Sequence, residues 1–343
     1  MHIETLRHRL RALGARPVHE ERVLRQWARA EPQAQGPRRP EDFLPLSLRT
    51  ALPSLEAELR ALAVLRADHA GADGSRRLLV GLADGRTVEA VLLPRGGLCV
   101  SSQVGCAVGC VFCCTGLGGL ERQLGSAEIV AQVALARTLR AVTKVVFMGM
   151  GEPAHNLDAV LEAIDLLGTA GGIGHKELVF STVGDRRAFE RLPLGRVKPA
   201  LALSLHSTDA TLRARLLPRA PAIAPDELVT LGDAYARATG YPLQVQWTLL
   251  EGVNDHDGEI EGLVRLLAGK RAVLNLIPYN AVAGLPWARP TIECSLAMAA
   301  ALQRRGVLTK LRRSAGQDVD AGCGQLRARR DRSTERRIDI VAA

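Results

Sequence analysis

The sequence predicts an α/β fold whose body is a parallel sheet, built as a partial or full (β/α) barrel or as a doubly wound sheet. Three observations carry that expectation. From Cys99 to Arg313 short β-branched runs alternate with stretches of helical periodicity, the signature of repeated strand–helix units. Ahead of them two apolar runs flank Asp84-Gly85, a strong hairpin signal. No Gly-x-Gly-x-x-Gly opens a helix after the first strand, which lowers the doubly wound nucleotide-binding alternative.

Taken in order, the apolar residues between Ile3 and Leu13 recur at steps of three and four, giving a helix with a basic outer face. Val23, Leu24 and Trp27 mark a second helix. Three prolines and a glycine between Glu31 and Pro40 mark a loop, and a third helix is expected over 46–62. The hairpin strands fall at 77–82 and 87–93. Further strands are expected at 144–147, 178–181, 200–205, 243–249, 273–277 and 308–311, with helices at 127–139, 157–167, 226–238 and 292–305. The resulting division is an N-terminal helical accessory domain over 1–70, placed to bind RNA, and a linking β-hairpin over 71–98. A core follows over 99–326, and a basic tail over 327–343.

The chain has 343 residues, 47% of them hydrophobic, with no apolar run long enough to span a bilayer. It opens on a charged helical pattern rather than a secretory leader, so a cytoplasmic location is expected. Lys and Arg number 45 against 36 Asp and Glu, for a net charge of +9. The arginines gather at both ends: Arg7, Arg9, Arg11, Arg16, Arg22, Arg25, Arg29 and Arg38-Arg39, then Arg327, Arg329, Arg330, Arg332, Arg336 and Arg337. An RNA partner held by phosphate neutralisation is one reading, and solvated helix faces the other. Aromatics make up only 3%, which argues against an extended base-stacking platform.

The chemistry concentrates in Gly105-Cys106-Ala107-Val108-Gly109-Cys110-Val111-Phe112-Cys113. Three thiols in one short loop, in a chain expected to stay reduced, do not read as disulfides. They suit a [4Fe-4S] cluster with one iron left open. Zinc is the rival, although no fourth Cys or His stands nearby at ligand spacing and Cys114 is too close to Cys113 for easy joint chelation. After the strand ending at Met148 comes Gly149-Met150-Gly151-Glu152-Pro153. Alone this is a turn; beside the cysteine loop its glycines permit close approach to a ligand and Glu152 offers acceptors for an ammonium group.

The chain further carries Leu98-Cys99-Val100-Ser101-Ser102-Gln103-Val104-Gly105-Cys106, Ser181-Thr182, Leu203-Ser204-Leu205-His206, Gly252-Val253-Asn254-Asp255, Asn275-Leu276-Ile277-Pro278-Tyr279-Asn280 and Asp320-Ala321-Gly322-Cys323-Gly324-Gln325-Leu326. In that order, with the cysteine loop, it resembles the RlmN/Cfr family of radical S-adenosylmethionine (SAM) enzymes, which methylate RNA adenines. The resemblance covers nearly the whole chain. It implies a partial TIM-type barrel of the radical SAM kind. One [4Fe-4S] cluster would rest on Cys106, Cys110 and Cys113, with two SAM molecules used per turnover. Gly151, Glu152, Ser181, Ser204, Leu205, His206 and Asn280 would line SAM. It also implies that Cys323 becomes S-methylated, that Cys99 later pairs with it in a transient disulfide, and that Glu89 accepts the proton from the base. The implied target is C2 or C8 of an adenosine in 23S rRNA or tRNA. The implied reductant is a flavodoxin or ferredoxin, and the implied state a monomer.

Two departures bear on substrate rather than chemistry. The segment after Asn280, Ala281-Val282-Ala283-Gly284-Leu285-Pro286-Trp287, and the run Arg312-Arg313-Ser314-Ala315-Gly316-Gln317-Asp318 both differ from the family pattern. The segment from Glu89 to Cys99 is also shorter than usual. A radical SAM enzyme with a non-RNA substrate would have no need of the Cys99 and Cys323 pair. A non-catalytic RNA-binding iron–sulfur or zinc protein would have no use for Gly151-Glu152. Cys114 and Cys294 are expected to serve packing.

Overall fold

A computed structural model describes residues 1–35 and 39–327. Arg38 and residues 328–343, with Arg329, Arg330, Arg332, Arg336 and Arg337 of the basic tail, lie outside the described residues. Four helices lead: α1 (Ile3–Ala12), α2 (Pro17–Arg29), α3 (Pro40–Phe43) and α4 (Leu46–Ala61). Their apolar stripes are inward, with Ile3, Leu6 and Leu10 on α1 and Leu48, Leu52, Leu55 and Leu59 on α4 buried. Each such leucine contributes about 1.5–3 kcal/mol by leaving water.

Three antiparallel strands follow, β1 (Val64–Ala70), β2 (Arg76–Gly81) and β3 (Thr87–Leu93), then β4 (Gly97–Cys99), β5 (Gln103–Gly105), β6 (Leu120–Gln123) and α5 (Ser126–Leu139). The chain continues as β7 (Lys144–Phe147), α6 (Leu157–Gly168), β8 (Leu178–Thr182), α7 (Arg186–Arg191), β9 (Ala200–Ser204), α8 (Ala210–Leu216) and α9 (Pro225–Thr239). It closes with β10 (Leu243–Leu249), α10 (Asp257–Leu267), β11 (Ala272–Pro278), α11 (Ile292–Arg304) and β12 (Thr309–Leu311).

One ten-stranded sheet runs β1-β2-β3-β4-β7-β8-β9-β10-β11-β12, parallel from β4 onward. Its end strands do not pair, as expected of a partial barrel. The gap is spanned by loops instead. The β1–β2 turn meets the segment after β12, where Ala72 N–H donates to Asp318 Oδ2 (2.8 Å) and Gly316 N–H to Asp73 Oδ2 (3.0 Å).

Two boundaries differ from expectation. Residues 64–70 are a strand of the main sheet, not the end of a helical domain, and the 71–98 hairpin belongs to that sheet as well. Nor do the leading helices hold a core of their own. Arg29 Nε donates to Ala170 O (2.9 Å), Arg137 Nη1 to Ala28 O (2.7 Å) and Ile3 N–H to Ser126 Oγ (2.8 Å), and their apolar side chains run on into the barrel core.

Candidate active site

In a parallel barrel the loops after the strand C-termini form one face, and the predicted residues converge there. Cys99 ends β4, Glu152 follows β7, Ser181 lies at the end of β8, His206 just beyond β9, Asn280 just beyond β11, and Cys323 beyond β12. The three-cysteine loop is carried by the small antiparallel pair β5–β6. Gly105 turns that loop at φ +78°, where an added Cβ would stand 2.0 Å from Gly119 O, so only glycine fits.

Around the loop lies an apolar shell of Val108, Phe112, Val183, Leu216, Leu250 and Tyr279. Burial is the main force raising the thiol of Cys106, to about 11, and that of Cys110, well above its usual range. Charge on the other loop cysteines and on Glu152 adds to both shifts. Thiols so desolvated stay protonated until a cation claims them. All three are free, and soft sulfur donors suit an iron–sulfur cluster. Among the described residues no three His, Cys, Asp or Glu side chains converge closely enough to hold one metal ion. A cluster asks each thiol to meet a separate iron, so the donor set fits it better than zinc.

Glu152 is buried and its carboxyl is pushed up to about 7 by desolvation, against hydrogen bonds from Thr182 and from the N–H groups of Val183 and Ala154. Gly151, at φ +105°, lies against Gln103, whose Oε1 accepts the Glu152 N–H at 2.8 Å. Ser181 and Leu205 are buried, and Ser204 is partly buried at the end of β9. His206 sits in the left-handed region at φ 62°. Its Nδ1 accepts the Thr248 N–H (2.9 Å), and its carbonyl accepts from Asn254 Nδ2 (2.7 Å). Its ring meets Phe112 of the cysteine loop edge-on at 4.9 Å. Burial, aided by Arg213, lowers its pKa to about 3, so it stays neutral.

Cys99 and Cys323, from opposite ends of the core, stand within electrostatic reach of one another. Burial drives the Cys99 thiol far up and charge on Cys323 adds to the shift. Cys323 is exposed to solvent, yet desolvation leads in raising its thiol, Cys113 adds to this, and Arg312 opposes it.

The Cys323 loop is held from several sides. Cys114 N–H donates to Gly324 O (2.8 Å), and its thiol to Leu326 O (3.3 Å). Thus Cys114 braces the loop, whereas Cys294 Sγ meets Asp255 at 3.7 Å. Asn280, expected against SAM, has its amide committed elsewhere: Nδ2 donates to Ser314 Oγ (2.8 Å) and Cys323 O (3.1 Å), while Oδ1 accepts from Gln317 (3.1 Å). Glu89 is fully buried and shares a sheet face with Cys99, since Val91, two residues on, pairs with Cys99. Its Oε1 accepts from Arg77 Nη1 (2.5 Å) and its Oε2 from Arg327 N–H (2.9 Å). Arg77 Nε in turn donates to Val319 O (2.6 Å). This buried ion pair therefore clasps the Cys323 loop on both flanks.

Sequence reasoning missed Arg213. It is buried, its Nε has no partner among the described residues, and its charge interacts with Cys110 and Glu152. Desolvation lowers it to about 10. The one available signal was its position three residues before Leu216 on the buried face of α8.

The N-terminal arginines are largely spent within the fold. Arg11 and Arg7 reach Glu20 (2.9 and 3.4 Å), Arg9 reaches Glu58 (2.7 Å), Arg25 reaches Glu21 (3.4 Å), and Arg22 and Arg29 bond backbone carbonyls. No helix among the described residues is long and apolar enough to cross a membrane.

Residues 100–264 match the radical SAM superfamily. A protein of Methylibium petroleiphilum named "Probable RNA methyltransferase" is 74% identical over 329 residues, covering 96% of this chain and 93% of that one. A protein of the same name from Leptothrix cholodnii is 68% identical over 340 residues, covering 99% and 98%. The crystal structure of a radical SAM methyltransferase from Sphaerobacter thermophilus superposes with a TM-score of 0.81 at 32% identity, covering 95% and 98%.

Proposed function

This chain belongs to the radical SAM superfamily as one of its RNA methyltransferases, and on that premise we propose that it methylates C2 or C8 of an RNA adenosine through a methyl thioether on Cys323. The observation that supports this reading is the placement of Cys99 at the end of β4 and of Cys323 beyond β12 on the same mouth as the three-cysteine loop, near enough for charge on Cys323 to raise the Cys99 thiol. Such a pair is superfluous to a methyl transfer made directly from a sulfonium. It becomes necessary when an electron-poor ring carbon must be reached, because that carbon is a poor nucleophile.

The bound cluster would supply one electron and SAM the methyl group and the radical source. Cys106, Cys110 and Cys113 would hold the cluster. Glu152 is the acceptor for the SAM ammonium, and the unpartnered Nε of Arg213 is available to its carboxylate. Gly151, Ser181, Ser204, Leu205 and His206 form the walls; Asn280 positions the Cys323 loop rather than contacting SAM.

Cys323, exposed to solvent, is the thiol that accepts a methyl group, as its thiolate is a competent nucleophile. The former S-methyl carbon, less one hydrogen lost to the radical that SAM would supply, then bridges Cys323 and the base as a methylene. The Cys99 thiolate attacks the Cys323 sulfur; the S–C bond breaks, its electron pair stays on the carbon, which takes a proton to become the ring methyl, and the two sulfurs remain as a disulfide. Glu89 is the proton acceptor: its carboxylate is buried, is held by Arg77 and shares a sheet face with Cys99. Two SAM molecules are used per turnover, a flavodoxin or ferredoxin is the reductant, and the target lies in 23S rRNA or tRNA. Nucleoside mass spectrometry of tRNA and rRNA, incubated anaerobically with the reconstituted protein, tests this. A gain of a carbon-methylated adenosine in either pool is expected. No gain in either, from protein carrying its full iron and sulfide, overturns the proposal.

A further inference from the structure

Beside the cysteine loop, on its outer side, lies a cavity of about 360 Å³ to which none of the roles above is assigned. Its walls come from three mouth loops: Leu212, Arg215 and Leu216 of α8, Gly252 and Val253 beyond β10, and Trp287 beyond β11. The walls are fixed. Trp287 Nε1 donates to Val111 O (2.8 Å), Val111 N–H to Leu216 O (3.1 Å), and Glu251 N–H to Ala288 O (3.1 Å). With its N–H committed, the partly exposed indole offers the cavity only its apolar ring.

Arg215 is the cation of this cavity. It is exposed, and it makes no hydrogen bond or ion pair among the described residues. Its guanidinium is therefore open to an anionic ligand. The cavity's one acid, Asp209, is already engaged, accepting the Leu212 N–H at the start of α8. The 281–289 loop also ties the cavity to the thiol loop: Gln325 Nε2 donates to Ala281 O (2.9 Å) and Arg289 Nη1 to Gln317 Oε1 (3.1 Å).

We propose that this cavity binds one unpaired nucleotide of the RNA substrate, its base against Trp287 and the leucine walls and its phosphate on Arg215. It is a neighbour in sequence of the adenosine presented to Cys323. The volume lies at the small end of the roughly 300–1,000 Å³ range of ligand sites, which admits a single nucleotide and excludes a duplex. Stacking needs one aromatic face per base, so a chain poor in aromatics satisfies the requirement with Trp287 alone. The inference rests on the RNA reading above and adds where the strand is gripped.

The test uses full-length reconstituted protein, with total tRNA and total rRNA containing 4-thiouridine as probes. Trp27 and Trp247 are buried at 9% and 0% exposure, so fluorescence quenching reports mainly on Trp287. Wild type should be quenched by RNA and cross-link through peptides of α8 or the 281–289 loop. Arg215→Ala should weaken binding about tenfold and lower the salt slope by about one. The Trp287 variants lack the reporting indole and are read by filter binding: Trp287→Phe, which keeps a ring, should bind within about twofold of wild type, and Trp287→Leu much less. Iron content, measured in parallel, separates lost grip from a damaged cysteine loop. RNA bound tightly by wild type and equally by Arg215→Ala and Trp287→Leu would overturn the cavity proposal alone. Binding of neither RNA pool by wild type would overturn the RNA reading as well. Quenching by SAM but not by RNA would assign the cavity to the cofactor and also overturn the proposal.

Discussion

His206 shows how much the site asks of one residue. It holds a left-handed backbone, accepts a strand N–H through Nδ1, and stays uncharged against Phe112. With its folded pKa lowered to about 3, the unfolded chain alone takes up a proton below about pH 6.5. Stability attributable to this residue is therefore present above pH 6.5 and is lost as pH falls toward 3. Between pH 7 and pH 5 the loss is about 2 kcal/mol. His206→Asn, which tolerates the left-handed region, removes this term. Urea unfolding at both pH values should show the variant losing about 2 kcal/mol less than wild type on acidification. The cysteine loop and Glu152 were legible because their spacing and glycine context have few other uses. Arg213 was not, because one buried arginine in an arginine-rich chain looks like its exposed neighbours until α8 is folded.

The Arg77–Glu89 clasp acts between elements, joining β2 and β3 to the loop beyond β12. Arg77→Met would remove the guanidinium that faces the buried Glu89 carboxylate, and the expected cost is about 3–5 kcal/mol, measurable by urea unfolding. The double variant Arg77→Met/Glu89→Leu should recover much of that loss. Both should show faster proteolysis within 312–327, because the flanks at Val319 and Arg327 are released. The hairpin strands and the larger strand–helix units were readable from periodicity and from Asp84-Gly85. β1 was not, since Val64-Leu65-Arg66-Ala67-Asp68-His69-Ala70 is largely exposed and alternates only weakly. The short α7 and α8 span too few turns for a periodic signal. The clasp itself depends on residues far apart in sequence, and no local pattern announces it.

Across the whole molecule, the helices before β1 act as a buttress for α5 and α6, and their arginines are held by carboxylates and carbonyls. Arg11→Ala should accordingly change RNA affinity by less than about twofold, as surface charges away from an interface do. Filter binding checks this; a tenfold loss would return those arginines to the RNA surface. Charge counting could not separate these uses, because it sees how many arginines there are and not which carboxylates they face. The family resemblance read the order of the motifs correctly, while the partners of Glu89 and Asn280 emerged only with the fold.

The methyl group is expected to travel on Cys323. The direct measurement is to incubate reconstituted protein with methyl-labelled SAM, identify the labelled peptide by mass spectrometry, remove free SAM, and add RNA with unlabelled SAM and reductant. Label should reside on Cys323 and then appear on an adenosine ring carbon, and Cys323→Ala should give neither signal. RNA methylated by Cys323→Ala, or label that never leaves Cys323 of protein active on that RNA, would contradict it.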